Sequence, residues 1–239
     1  MSFGPLPSGL FETRDQLHQL AFFALAPARY KAVGRMGLRS TPGGFGTPEY
    51  EGRVARIEGD LLVFESDGGI ATQTVTTIRS ATEFVGIEYE AVWFPDFGDQ
   101  LPPADPDAEL NLDIRSVDLV AEWFAFGYEV LGRLRDYGST EDEVSEIQIW
   151  PEHFDAATEM GAEAKGHRAS YGASPGDGAH PEPYVYVSAW GEIDRSNRYW
   201  NDTAFNGASL GYESLIGEAD PEMTALVFLL EGHRLLHQA

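Results

Sequence analysis

The chain has 239 residues, of which 43% are hydrophobic, and its formal net charge at pH 7 is -23. A chain of this length buries about 70% of its unfolded surface, so the fold needs neither disulfides nor metal ions to hold it together. Because nucleic acids and anionic membranes require a basic face on the protein, this charge argues against both as partners.

The lack of cysteine and the lack of a signal or membrane segment restrict the possible reactions and the cellular location of the protein. The sequence has no cysteine, which excludes thiolate nucleophiles, cysteine-ligated zinc and disulfide bonds. Its first residues lack the basic region and apolar run of a secretory signal, and no apolar stretch is long enough to cross a bilayer. We therefore expect a cytoplasmic protein.

The first third of the sequence predicts a helix, a β-meander and a second, shorter helix. Leucine and alanine side chains recur at helical spacing over Leu10–Ala26, and Pro27 is expected to end that helix. Alternating apolar and polar residues, interrupted by glycine turns, predict three strands. The strands are predicted at 51–58, 61–66 and 70–75, and the short helix at 76–86.

An acidic segment, residues 88–113, separates this part from the rest of the chain. It contains four prolines, eight carboxylates and no cation, a composition typical of a surface connection. The predicted division of the chain is therefore 1–87, 88–113 and 114–239, with the two outer parts forming either two domains or one integrated domain.

The last part begins with the strongest helix pattern, an apolar stripe over Ile114–Tyr137. Period-two alternation then predicts further strands, and two helices close the chain. The strands are placed at 147–149, 155–161, 166–173 and 183–190, and the helices at 203–215 and 221–237. Because strands come in blocks and do not alternate with helices, the expected fold class is α+β with antiparallel sheets.

Two polar segments in the second block of strands, Trp150–Asp155 and Ser174–Tyr184, carry the best candidates for a site. If the strands between them are neighbours in one sheet, both segments lie near the same sheet edge. Imidazoles and carboxylates are suitable ligands for zinc, iron or manganese. The predicted metal ligands are His153, Asp155, His180 and Glu182. The residues predicted to bind a small molecule are His153, Asp155, Asp177, Tyr184 and Tyr186.

Structural roles compete with these and other candidate sites. Polar residues between prolines and glycines often form turns, so Asp177 could cap its own turn. The glycines of Gly43–Gly46, which follow four cations, could cradle an anion, but they also permit close packing or positive φ. His233 and His237 have the i,i+4 spacing of a metal-binding pair, yet they lie near a chain end, where exposed side chains are expected.

Three short motifs mark the same region: W-P-E-H-F-D at Trp150–Asp155, S-P-G-D at Ser174–Asp177 and P-Y-V-Y at Pro183–Tyr186. Together they resemble a family of uncharacterised bacterial proteins, common in actinobacteria, that pairs W-P-x-H-F-D with S-P-G-D and P-Y-x-Y. The resemblance spans about residues 147–190. It supports the choice of this segment and brings no known activity, cofactor or catalytic residue.

Three functions follow as hypotheses. The first is a small-molecule-binding protein with an aromatic-walled pocket beside the second sheet. The second is a metal-dependent hydrolase in which His153, His180 and a carboxylate hold the ion, with Glu182 or Asp177 as general base. The third is an interaction protein whose acidic segment binds a basic partner. A serine hydrolase is disfavoured because no G-x-S-x-G motif is present.

Overall fold

The computed structural model describes residues 3–93 and 101–238. Its fold is α+β, with two five-stranded antiparallel sheets and several helices, as the sequence predicted. No helix in these two ranges is both long enough and apolar enough to span a membrane.

The elements are numbered in chain order. The helices are α1 Leu10–Leu20, α2 Ala26–Val33, α3 Ile78–Phe84, α4 Ile114–Arg135 and α5 Pro221–Leu236. The strands of the first sheet are β1 Arg39–Thr41, β2 Gly44–Gly46, β3 Val54–Glu58, β4 Leu61–Ser66 and β5 Gly69–Thr74. The strands of the second sheet are β6 Gln148–Trp150, β7 Asp155–Met160, β8 Ala169–Ser174, β9 Tyr184–Ala189 and β10 Gly207–Gly211.

Contacts divide the chain into two compact units. The first, called the N-terminal unit here, consists of Leu6–Glu122 and Ile149–Phe154. The second, called the C-terminal unit, consists of Met1–Pro5, Trp123–Gln148 and Asp155–Ala239. The predicted division at the acidic segment 88–113 stays a prediction, and residues 94–100 of that segment lie outside the described ranges.

The helical part of the N-terminal unit differs from the prediction at Pro27, which does not end the first helix. The chain continues from α1 through a π-helical segment, Ala21–Leu25, into α2, and Gly34 in the left-handed conformation ends α2. A proline inside an α-helix removes one hydrogen bond and clashes with the carbonyl four residues earlier. The wider π-helical turn directly before Pro27 accommodates the ring, so the helix is not broken.

The sheet of the N-terminal unit has the strand order β1-β2-β3-β4-β5. The three predicted strands are present, and two short strands that were not predicted precede them. The glycines of the candidate anion loop lie in this added hairpin, where a side chain at Gly44 would place its Cβ 2.0 Å from the Ile57 carbonyl oxygen. Gly44 therefore permits close pairing of β2 with β3, which is a structural role.

The C-terminal unit has an aromatic core beside α4. Trp123, Phe126 and Tyr212 are fully buried, and the ring of Phe3 lies against all three at centroid distances of 5.0–5.4 Å. Aromatic pairs at such distances add to the stabilisation from burial.

The predicted helix over 203–215 is wrong. That stretch contains β10, which pairs antiparallel with β9, and a short 3-10 turn over Tyr212–Ser214. Pairing with β9 satisfies backbone donors and acceptors that β9 would otherwise leave open at the edge of the sheet, and this gain outweighs local helix propensity. The closing helix α5 is confirmed, with the Asp220 side chain accepting from the backbone N–H of Met223 and Pro221 in the first turn.

Candidate metal centre

The predicted site residues are distributed over both units. His153 is exposed and belongs to the N-terminal unit, in the turn Pro151–Phe154 that follows β6. Asp155, Asp177, His180, Glu182, Tyr184 and Tyr186 belong to the C-terminal unit. The Glu182 side chain is exposed.

Four of the predicted residues form a hydrogen-bonded network in the C-terminal unit. The hydroxyl of Tyr186 donates to Asp155 Oδ2, and the hydroxyl of Tyr184 donates to Asp177 Oδ2 at 2.6 Å. The other oxygen of Asp177 accepts from the backbone N–H groups of Ala179 and His180, at 2.6 and 2.8 Å. Asp177 therefore caps its own turn as well as binding a tyrosine.

His180 lies beside this network and contacts a carboxylate that the sequence did not single out. Its Nε2 is 2.9 Å from Oδ2 of Asp202, whose side chain is 2% exposed. The ring of His180 also packs against Tyr184, with the centroids 4.6 Å apart. Within the described residues, however, Nδ1 of His180 and Oδ2 of Asp202 are buried and make no hydrogen bond.

The electrostatics of the network agree with its geometry. Burial, together with the neighbouring carboxylates, raises the pKa of Tyr184 and of Tyr186 well above the ordinary range. Burial alone would raise the pKa of Asp177, but the hydrogen bonds from Tyr184 and from the turn outweigh it and lower that pKa. Both tyrosines therefore stay protonated and donate.

The hydrogen bond to Asp155 is expected to contribute more stability than the one to Asp177. Asp155 is 5% exposed, whereas the Asp177 side chain is 38% exposed. We expect Tyr186→Phe to lower the free energy of unfolding by about 1–3 kcal/mol, because a buried acceptor loses its donor. The matched variant Tyr184→Phe should cost less, since water can replace the lost donor. Urea unfolding of both variants tests this, and an equal or larger loss for Tyr184→Phe would contradict it.

A different set of side chains meets the distance requirement for a metal site. Among the described residues, one group of three or more histidine, aspartate or glutamate side chains has its ligand atoms within 4.8 Å of one another. It consists of Asp142, His233 and His237, all in the C-terminal unit. None of the four predicted metal ligands belongs to it.

Asp142 is held rigidly in the loop after α4. It is 4% exposed, and its Oδ2 accepts from the backbone N–H and the hydroxyl of Ser139, at 2.6 and 2.8 Å. These two bonds fix the carboxylate and leave Oδ1 directed at Nε2 of His237, 2.9 Å away.

His233 and His237 lie one turn apart at the end of α5, so their rings project from the same face of the helix. The ring centroids are 4.0 Å apart, and Nδ1 of His237 is 2.9 Å from the backbone oxygen of His233. A hydrogen bond to this oxygen requires the ring proton on Nδ1, because a carbonyl oxygen can only accept.

The other ring nitrogen of His237 faces an acceptor as well. Nε2 lies 2.9 Å from Oδ1 of Asp142, and a neutral imidazole has one ring proton, so it can donate to the carbonyl or to the carboxylate but not to both. Both contacts are favourable at the same time only when a cation supplements the single ring proton. That cation is either a proton on Nε2 or a metal ion bound to both groups.

A third histidine, His167, borders the same centre. Its ring centroid is 4.6 Å from that of His237. The chain reaches this position through Gly161, which has a φ of 110° and donates its N–H to the Asp142 carbonyl at 2.7 Å. A Cβ at Gly161 would lie 2.2 Å from the His167 carbonyl oxygen, so only glycine permits this turn to bring Asp142 and His167 together.

The charge states of the cluster suit metal ligation. Burial lowers the pKa of His233, with His237 and His167 adding to the effect and Asp142 opposing it. Burial also lowers the pKa of His167, as do His237 and Lys165. For Asp142, burial is outweighed by the hydrogen bonds from Ser139 and His237, so its pKa is lowered. Neutral imidazoles and an ionised carboxylate are the forms that bind metal ions.

Sequence reasoning found one part of this centre and missed the rest. The i,i+4 spacing of His233 and His237 is visible, but the ends of helices are usually exposed and the pair alone is weak evidence. Asp142 and His167 come from two turns whose approach depends on tertiary structure. The fact that three of the six histidines in the chain meet here becomes apparent only in the fold.

Comparisons with known proteins do not assign the chain to a family. No family model, no curated protein and no solved structure matches it. The resemblance to the actinobacterial family and the binding of a basic partner by the acidic segment stay predictions.

Proposed function

We propose that the protein binds one divalent transition-metal ion through Asp142, His233 and His237. The observation that carries the proposal is that both ring nitrogens of His237 face acceptors, Nε2 at 2.9 Å from Asp142 Oδ1 and Nδ1 at 2.9 Å from the backbone oxygen of His233. A metal ion shared by the two groups satisfies both lone pairs and explains why a third potential ligand, His233, lies beside them.

The composition of the site favours a particular class of metal. Two imidazoles and one carboxylate are typical of zinc and of ferrous iron, whereas magnesium and calcium prefer oxygen ligands. Ligand atoms that share such an ion lie about 3–4 Å apart, given bond lengths of roughly 2.0–2.2 Å. All ligand atoms of the cluster lie within 4.8 Å of one another, and Asp142 Oδ1 and His237 Nε2, now 2.9 Å apart, have to separate slightly to admit the ion.

The groups that contact the three proposed ligands support the same proposal. Ser139 holds Asp142, the backbone oxygen of His233 holds His237, and the hydroxyl of Tyr171 lies 3.5 Å from Nδ1 of His233. Burial raises the pKa of Tyr171, so this hydroxyl stays protonated. Groups of this kind fix the orientation of metal ligands in known sites.

Hydrolysis is the reaction that such a centre supports best. Three protein ligands leave a coordination position for water, and zinc lowers the pKa of a bound water to about 7. His237 is exposed and His233 is half-buried, so this side of the cluster is open to solvent. Zinc-loaded protein should therefore hydrolyse an activated ester such as p-nitrophenyl acetate faster than metal-free protein. Equal rates, or an unchanged rate in His233→Ala, would exclude this reaction.

Isothermal titration of untagged, chelator-treated protein with ZnCl₂ tests the binding itself. We expect one saturable site for zinc and no saturable binding of MgCl₂ under the same conditions. A ligand at 100 times its dissociation constant stabilises the fold by about 2.7 kcal/mol, so zinc should also raise the midpoint of thermal unfolding. Absence of both effects for zinc, manganese and ferrous iron would refute the proposal.

A further inference from the structure

A groove of about 430 Å³ lies on the N-terminal unit. One wall is the face of α2 that carries Ala28, Lys31 and Ala32, and the others are the turn from Tyr50 to Arg53 and the residues after α3. Sites for small molecules have volumes of roughly 300–1,000 Å³, so the groove is large enough for a metabolite. It is independent of the metal centre, which belongs to the other unit.

The turn that forms the second wall is rigid and aims two side chains the same way. Tyr50 and Arg53 exchange both backbone hydrogen bonds, each 2.9 Å long. The two residues between them, Glu51 and Gly52, have φ values of 48° and 74°, as in a type I′ turn. Side chains of directly paired residues project from the same face of a hairpin, so the ring of Tyr50 and the guanidinium of Arg53 are neighbours.

Both of these side chains have unused hydrogen-bonding capacity. Tyr50 is 3% exposed and lines the groove, yet within the described ranges its hydroxyl has no hydrogen-bond partner. Arg53 has no carboxylate partner in the same ranges. In a chain with 39 acidic side chains an arginine has many potential partners. The pair therefore presents a donor and a cation to whatever enters the groove.

A second cation lies across the groove. Nζ of Lys31 is 2.9 Å from a carboxylate oxygen of Glu90, and both side chains are exposed at 36% and 51%. Exposed pairs of this kind contribute little stability, so an anion in the groove can replace Glu90 as the partner. The exposed carboxylate of Glu51 offsets one of the two cations and should weaken anion binding.

We propose that this groove binds a small organic anion, with a carboxylate of the ligand held by the Arg53 guanidinium and the Tyr50 hydroxyl. The planar fork of arginine matches a carboxylate, and hydrogen bonds to a charged acceptor are about twice as strong as neutral ones. Burial raises the pKa of Tyr50, with Arg53 opposing, so the hydroxyl remains a donor at neutral pH. A dianion places its second carboxylate near Lys31.

Titration with three probes, followed by amide chemical shifts of ¹⁵N-labelled full-length protein, tests the proposal. Succinate should cause saturable shifts at residues 50–53 and 86–87, whereas succinamide, its neutral analogue, should not. Inorganic phosphate is the third probe, because phosphate is also a small anion. Shifts with phosphate alone would overturn the carboxylate assignment, and the absence of saturable shifts with any probe would overturn the site.

Variants separate the groove from general charge effects. We expect Arg53→Gln and Tyr50→Phe each to weaken succinate binding at least tenfold, and Glu51→Gln to strengthen it. Tyr50→Phe should leave the fold intact, because the hydroxyl makes no bond within the protein. Arg35→Gln removes the same charge from an exposed position outside the groove and should leave the affinity unchanged. Equal affinities for Arg53→Gln and the wild type would refute the proposal.

Discussion

Replacing His233 with alanine is expected to weaken zinc binding by at least about 100-fold. Removal of a group that merely orients a metal ligand typically costs 10–100-fold in affinity, and loss of a ligand should cost more. Asp142→Asn should have a comparable effect, because it removes the negative charge while it keeps the size of the side chain. Isothermal titration of each metal-free variant with ZnCl₂ gives the affinity ratios directly.

His153→Ala is the matched control for this prediction. His153 is exposed, lies in the N-terminal unit and is one of the ligands predicted from sequence. Its loss should leave the zinc affinity unchanged if the ion binds at Asp142, His233 and His237. Circular dichroism and urea unfolding confirm that each variant is folded. The assignment would be wrong if His153→Ala weakened binding more than His233→Ala did.

His18 is expected to make the N-terminal unit sensitive to mild acid. Burial lowers its pKa from 6.5 to about 4, although the bond to the Pro151 carbonyl opposes the shift. Its Nε2 is 2.8 Å from that oxygen, and its ring stacks on Phe154 at a centroid distance of 5.2 Å. The folded state therefore holds a neutral imidazole that the unfolded state protonates more readily.

The direction of the pH effect follows from these two pKa values. Well above pH 6.5, His18 is neutral in both states and has no effect on the pH dependence. As the pH is lowered from 6.5 to 4, the unfolded state gains a proton that the folded state does not. The free energy of unfolding therefore decreases as the pH decreases. The pKa difference corresponds to a loss of about 3 kcal/mol. Urea unfolding at several pH values measures it as the difference between the wild type and His18→Phe.

His18→Phe keeps the stacking on Phe154 and removes the titrating group. It should be less stable than the wild type at pH 7.5, because the Pro151 carbonyl loses its donor, but it should lose less stability on acidification. His153→Gln removes a nearby exposed histidine and should retain the pH dependence of the wild type. If His18→Phe and the wild type lost stability in parallel between pH 6.5 and pH 4, burial of a neutral His18 would be disproved.

Elements with strong periodicity were predictable from the sequence alone. The apolar stripe of α4 and the alternation of β9 determined both type and position, since each pattern matches the period of one structure. The five residues of β10 were misassigned because their conformation depends on pairing with β9, a partner that local sequence does not reveal. The predicted helix end at Pro27 failed for a related reason. The π-helical segment before Pro27 removes the usual clash between the proline ring and the carbonyl four residues earlier.

The site was less predictable than the fold. Asp155, Asp177, Tyr184 and Tyr186 do lie together, as expected from their positions at one end of neighbouring strands, but they bond with one another. The candidate metal centre joins α5 to two turns through contacts such as the bond from Gly161 to Asp142. No sequence period encodes such contacts, so only the helical pair His233 and His237 left a signal.

The most direct test of the metal assignment is X-ray diffraction at the zinc absorption edge, from crystals grown with one equivalent of ZnCl₂. We predict an anomalous peak at about 2.0–2.2 Å from a carboxylate oxygen of Asp142 and from one ring nitrogen each of His233 and His237. A zinc peak beside His153 or His180, or no peak at these three side chains, would contradict the assignment.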